Sequence, residues 1–215
     1  MIERKSDQGS ESWLRDRAGC ATASCFADIM AVSKRDGKPL KARDDYLMRL
    51  VVERITGEPT ESASSFAMAW GTDAEPFARA EYELVTGSIV TEVGFIKHPK
   101  HKWVGASSDG RVGAKGGVEI KCPHNSGIHL MTWADGMPEH HLAQVMGQMW
   151  ILDLDWIDFC SYDPRMQTGG EHLKLYRQRV ERDPKYIANL EEQVLQFLAE
   201  VQVKVNDFLS MGRAA

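Results

Sequence analysis

The stretch from Ser107 to Lys121 restricts the fold more than any other part of the chain. Asp109 precedes Gly110, a pair that favours turns. A glycine-rich segment from Gly113 to Gly117 then reverses the chain. Val118, Glu119, Ile120 and Lys121 follow, with β-branched residues at alternate positions, the pattern of a short strand. Side chains of a strand alternate between faces, so Glu119 and Lys121 share one face and Val118 and Ile120 the other. The Cα atoms of Glu119 and Lys121 are then roughly 7 Å apart. If Asp109 opens the preceding strand of a hairpin, its carboxylate reaches the same face.

Two carboxylates and a lysine on one face suit a particular chemistry. Carboxylate oxygens match Mg²⁺, which takes one or two protein carboxylates and keeps several waters or substrate phosphates. Such a cation can lower the pKa of a bound water and neutralise charge on a phosphate under attack. A neighbouring lysine can hold or deprotonate the attacking water, or steady the developing charge. A hairpin that merely carries surface charges fits the same spacing, so the rest of the chain has to decide.

The chain has 215 residues and reads as one domain, 1–215, without linker, repeat or low-complexity segment. With 43% hydrophobic and 27% charged residues, a soluble domain with an ample core is expected. No run approaches the ~18 apolar residues of a membrane helix. The first eight residues hold no apolar signal-peptide core, which points to a cytoplasmic protein. The four cysteines, Cys20, Cys25, Cys122 and Cys160, lack the spacing of a zinc site and read as reduced, mostly buried thiols. A net charge of −5 argues against coating nucleic acid by bulk electrostatics, though not against a local basic groove.

Residues 10–19 read as a short helix capped by Ser10 or Ser12 and ended by Gly19, with a second helix from Cys25 to Ala31. Arg17 and Ser24 are candidate anion ligands, although by itself Ser24 reads first as a cap of its helix. Lys34, Arg35, Lys38, Lys41, Arg43 and Arg49 form the most plausible DNA-facing basic patch. Helical spacing runs through Tyr46, Leu47, Leu50, Val51 and Ile55 and stops at Gly57. Residues 62–84 continue helical, with Phe66, Trp70, Phe77, Ala80 and Leu84 as a buried stripe. Within them, Thr72 or Asp73 can cap a helix whose first turn holds Glu75 and Pro76. Glu75 is a third carboxylate candidate, against its reading as a dipole-compensating surface residue.

From Ile89 the pattern turns to strands: 89–96, 103–108 and 118–122, an expected antiparallel meander around the basic turn 97–102. Residues 126–150 return to helix, where Gln144 and Gln148 share a face. Strands follow at 156–162 and 173–180. The last helix begins at Asp183-Pro184 and repeats apolar residues from Ile187 to Phe208 at steps of three or four. The chain therefore reads as α/β, a central mixed sheet, mostly an antiparallel meander, flanked by helices.

This order of elements resembles the PD-(D/E)XK nuclease superfamily. More closely, the chain is similar to the phage lambda exonuclease family of YqaJ-type viral recombinases. The resemblance is carried by Trp13, Arg17-Ala18-Gly19, Thr22-Ala23-Ser24, Ala69-Trp70-Gly71 with Glu75, Ser107-Ser108-Asp109-Gly110, Glu119-Ile120-Lys121-Cys122-Pro123, Ala143-Gln144-Val145 and Tyr162-Asp163-Pro164-Arg165-Met166. Ser108 stands where the family pattern has proline, a change in turn stiffness that removes no ligand.

The resemblance implies that Asp109, Glu119 and the carbonyl of Ile120 hold Mg²⁺, for which Mn²⁺ can substitute, and that Glu75 serves a second ion or its waters. It implies that Lys121 positions and activates the water. Arg17, Ser24, Ser107 and Gln144 match a 5′-phosphate pocket, and Arg35 or Lys34 would lie near the duplex end. The implied activity is a 5′-to-3′ exonuclease on linear double-stranded DNA that releases mononucleotides and leaves a 3′ overhang for recombination. The implied assembly is a homotrimeric ring, the implied partner a single-strand annealing recombinase, and the implied origin a phage or prophage in a bacterial host. Two alternatives stand beside it: an endonuclease of the same superfamily, and a non-catalytic DNA-end-binding scaffold.

Overall fold

The structure, a computed structural model, describes residues 10–33, 35–60 and 66–211. Lys34, residues 62–65 of the expected helix and the first eight residues lie outside the described residues.

Helix α1 (Glu11–Arg17) is capped by Ser10, whose hydroxyl accepts the Trp13 N–H. It leads through β1 (Ala21–Thr22) into α2 (Phe26–Met30) and α3 (Lys41–Thr56). Gly57 ends α3 at φ 74°, a left-handed conformation that costs glycine little. Helix α4 (Phe66–Thr86) precedes the strands β2 (Val90–Thr91), β3 (Ile96–Lys97), β4 (Val104–Ala106), β5 (Gly110–Val112) and β6 (Gly116–Lys121). Then come α5 (Ser126–Asp135), α6 (Leu142–Leu152), β7 (Trp156–Tyr162), β8 (Leu175–Glu181) and α7 (Pro184–Met211).

The α/β class is as expected, but the meander does not run through one sheet. Strands order as β1-β4-β3 in one sheet and β2-β5-β6-β7-β8 in another. The expected strand 89–96 is divided between them, β2 pairing with β5 and β3 with β4. The chain crosses back between β4 and β5, so Ser107, Ser108 and Asp109 lie at the crossing. Ser108, almost fully buried, ties that crossing down: its hydroxyl donates to the carbonyls of Val118 (3.1 Å) and Gly110 (3.2 Å). Strands β6 and β7 are parallel, and the long connection such a pair requires is supplied by α5 and α6.

Helix α6 is buried from Ala143 to Leu152, all the way round, as expected of a helix inside the molecule. Its close approach to α2 depends on Gly147, where an added Cβ would sit 2.5 Å from the buried ring of Phe26. The expected single helix 126–150 is broken at Gly136, at φ 87°, and Pro138, which disfavours a helical residue before it. In α7, Ile187, Leu190, Val194, Phe197, Val201 and Val205 are buried, while Phe208 is exposed.

The expected face of α4 is wrong. Phe66, Phe77 and Leu84 are exposed, and the buried residues are Ala74, Ala78 and Tyr82. Two small side chains let the helix lie close to β6, and the Tyr82 hydroxyl donates to Asp158 at 2.8 Å. That buried polar bond, not the apolar count, sets the rotation. Nor does a helix begin at Thr72 or Asp73: both lie inside α4, where the Thr72 hydroxyl bonds to the Met68 carbonyl. Pro76 interrupts the ladder there, since it has no N–H for the Thr72 carbonyl.

Candidate active site

The end of β6 supplies the acidic centre. Glu119 is 2% exposed, and both of its oxygens are held. Oε1 accepts from Lys121 Nζ (2.7 Å) and Gln144 Nε2 (2.6 Å), and Oε2 from Gln148 Nε2 (2.6 Å). The β5–β6 ladder stops at Gly110–Val118, and Asp109 takes over beyond it: its Oδ2 accepts the Ile120 N–H at 2.6 Å. Gln144 closes the group, its Oε1 accepting from Lys121 Nζ at 3.2 Å. Glu75 comes from α4 and is paired with Arg79 at 2.7 Å.

Glu75, Asp109, Glu119, Ile120, Lys121 and Gln144 line one cavity of about 630 Å³ together with Arg17, Ser24 and Ser107. Every candidate site residue read from the sequence is on that wall except Arg35. Arg35 is exposed in the loop between Val32 and Pro39 and is not brought to the cavity. Beside this centre, Ser107 Oγ accepts from Trp13 Nε1 at 2.9 Å, and the Arg17 guanidinium lies over the Trp13 ring at 4.0 Å. Ser24 Oγ is 3.3 Å from Thr22 Oγ1. An arginine with hydroxyl groups around it is an arrangement that accepts an anion.

Burial pushes the Asp109 carboxyl well above the usual range, and the charges of Glu119 and Glu75 push the same way. Burial also raises Glu75 against the pull of Arg79. Burial would lower Lys121, but Glu119 and Asp109 outweigh it and keep the side chain a firm cation. Three carboxylates against one lysine and, at Glu75, one arginine are still short of positive charge, the electrostatic condition a divalent cation relieves. The donors are hard: Asp109, Glu119 and the backbone of Ile120. Among the described residues no three His, Cys, Asp or Glu side chains form a complete ligand set. An ion here would rest on two carboxylates, a carbonyl and water, which matches the habit of Mg²⁺.

From the sequence, Gln148 shares a face with Gln144 and carries no role of its own. Gln148 is fully buried, and its Nε2 bridges Glu119 to the Ser107 carbonyl at 3.0 Å. The glutamine pair at i,i+4 was the available signal. His140 and His141 also line the cavity unforeseen. Burial, with the Lys121 charge, pushes His141 down to about 3, so it is a neutral imidazole. The four cysteines are free thiols; Cys20 and Cys160 are buried, and burial pushes Cys122, beside Lys121, up to about 12.

The chain matches the YqaJ-like viral recombinase domain over residues 12–155. Two crystal structures of an alkaline exonuclease from Laribacter hongkongensis, one of them in complex with dAMP, share 39% of their residues with it. They superimpose with TM-scores of 0.84 and 0.85, over 95% of this chain and 98% of that one. A protein called ExoD of Escherichia coli (strain K12) is 36% identical over 61 residues, 28% of this chain and 66% of that protein. A protein of Acanthamoeba polyphaga mimivirus is 25% identical over 172 residues, 73% of this chain and 30% of that protein. The chain thus spans less than two thirds of either of these two relatives.

Proposed function

The chain belongs to the YqaJ-like viral recombinase family, a family of recombination nucleases, and from that premise we propose its reaction. It is a metal-dependent exonuclease that degrades linear double-stranded DNA from 5′ ends, releases mononucleotides and leaves a 3′ overhang. The observation that carries this reading is the single cavity in which the Asp109–Glu119–Lys121 centre meets Arg17, Ser24 and Ser107. A centre for hydrolysis and a corner for a terminal phosphate, one beside the other, describe a terminus-directed phosphodiesterase.

Mg²⁺ or Mn²⁺ held by Asp109, Glu119 and the Ile120 carbonyl, with Glu75 serving a second ion, supplies Lewis-acid polarisation of phosphate and water. The chain supplies the rest. Gln144 and Gln148 hold both Glu119 oxygens in one orientation. The Lys121 ammonium, within hydrogen-bond reach of that carboxylate, orients the attacking water and offsets charge gathering on the phosphate. Arg17, Ser24, Ser107 and Gln144 bind the 5′-phosphate and so set the cut one nucleotide from the end. A ring-shaped homotrimer, a single-strand annealing partner and a cytoplasmic, phage-type setting follow from the family resemblance. Among the described residues no helix is long and apolar enough to cross a membrane.

The test is a covalently closed duplex circle beside the same DNA made linear. The linear form should be degraded and the circle left intact. Nicks or breaks in the closed circle would replace this reading with that of an endonuclease of the same fold. Gln148→Ala should slow cleavage about 10- to 100-fold, as loss of a residue that orients a metal ligand does. Titration of Mn²⁺ into the variant should show weaker binding; unchanged binding and rate would remove Gln148 from the site.

A further inference from the structure

Two guanidinium groups line one hollow beside the site, and among the described residues neither forms an ion pair with a carboxylate. A second cavity, about 330 Å³, adjoins the first, and Arg17, Thr22 and Met68 line both. Arg49 of α3 lines the second cavity only. Arg49 lies over the Tyr46 ring at 4.6 Å, and its Nη2 donates to Cys25 Sγ at 3.2 Å. Aromatic faces and a thiol thus hold Arg49, and Trp13 holds Arg17, without neutralising them. Arg43, Arg79, Arg165, Arg177 and Arg179 each pair with a carboxylate. Among the described residues Arg17 and Arg49 do not; Arg54, Arg111 and Arg182 also lack one, but they donate to backbone carbonyls.

Glu53 also lines the cavity, but its oxygens are committed to the N–H groups of Gly19 (2.8 Å) and Thr60 (3.2 Å). Two cations facing one carboxylate leave a positive hollow. Burial pushes the Arg17 guanidinium below its ordinary pKa, and the Arg49 charge adds to that. Burial would lower Arg49 too, but Cys25, Tyr46 and Glu53 outweigh it and raise its pKa, so Arg49 stands in the hollow as a firm cation able to meet an anion. The order along the wall says which anion. Arg17 faces both cavities and Arg49 only the second, so a ligand seated on both extends past Arg17, away from the acidic centre.

We propose that the second cavity is a subsite for a further phosphate, the one attached on the 5′ side of the phosphate held by Arg17. Arg49 is its ligand, and the fork of the guanidinium suits two phosphate oxygens at once. The enzyme then accepts DNA ends carrying a 5′-diphosphate or triphosphate as well as a monophosphate. This rests on the reading of Arg17 as the 5′-phosphate ligand.

Calorimetric titration in EDTA with dAMP, dADP and inorganic pyrophosphate separates the two claims, since no cleavage is involved. The wild-type protein should bind dADP about tenfold more tightly than dAMP, the worth of an added charge-assisted bond. Arg49→Met should abolish that gain and leave dAMP binding unchanged, and Arg49→Lys should restore part of it. Equal affinity of the wild type for dADP and dAMP would overturn the subsite, as would a gain that survives in Arg49→Met. Pyrophosphate binding as tightly as dADP would overturn its assignment to a DNA 5′ end. If Arg17→Met leaves dAMP binding intact, it is the 5′-phosphate reading of Arg17 that fails.

Discussion

Lys121→Ala should lower the rate of DNA cleavage on the order of 1,000-fold while leaving duplex binding within a few-fold of wild type. The ammonium is 2.7 Å from Glu119 Oε1 and 3.2 Å from Gln144 Oε1, inside the acidic centre and one third exposed to the cavity. Its pKa is held up by Glu119 and Asp109 against burial, so it enters the reaction as a cation. On the proposed mechanism, its loss would remove the hydrogen bond that orients water and the charge that meets the developing phosphate anion. On the proposed reading DNA is held by other residues, Arg17 among them, so binding should persist. A gel-shift assay in EDTA beside a cleavage assay in Mg²⁺ separates the two effects. A variant that cuts at the wild-type rate would remove Lys121 from the chemistry.

Asp158→Asn should destabilise the protein by about 3 kcal/mol, seen as a fall of about 1 M in the urea midpoint. Asp158 is fully buried in β7 and accepts from Arg179 (2.9 and 3.0 Å), Arg177 (3.1 Å) and Tyr82 (2.8 Å). The amide keeps the shape but turns a donor toward these donors. Breaking a buried pair on one side costs about 3–5 kcal/mol. Both arginine side chains are 43% exposed and regain water, which places the cost at the lower end.

The same carboxylate governs acid stability. Burial would raise its pKa, but hydrogen bonds from Arg179, Tyr82 and Arg177 outweigh this and hold it below the usual range. A depressed carboxyl stabilises the fold above its unfolded pKa, about 3.9, and that contribution is lost as pH falls through the folded value. Wild type should lose stability below about pH 4 more steeply than Asp158→Asn. Parallel acid-unfolding slopes for the two would contradict the assignment.

What the sequence made legible was local. Glu119 and Lys121 share a face because strands alternate, and Asp109 reaches them because a hairpin brings it there. The end of α3 at Gly57 and the buried line of α7 likewise follow from neighbours within a few residues. What stayed hidden depends on distant partners. The rotation of α4 is set by Tyr82 reaching Asp158, 76 residues away. The crossing of residues 89–109 between two sheets is decided by which strand offers a free edge, a property of the assembled sheets. Gln148 looked like packing because its partners, Glu119 and Ser107, are 29 and 41 residues away. Arg49 read as part of a basic patch with Arg35, yet the fold turns Arg49 toward Arg17 and leaves Arg35 outside.

The most direct measurement uses linear duplex DNA labelled on one strand, with a 5′-phosphate or a 5′-hydroxyl, in Mg²⁺ or in EDTA. Mononucleotides should appear only with Mg²⁺, from the 5′ end, and about tenfold faster when that end carries the phosphate. Bound DNA that releases no nucleotide in either Mg²⁺ or Mn²⁺ would contradict the account and leave a protein that holds DNA ends without cutting them.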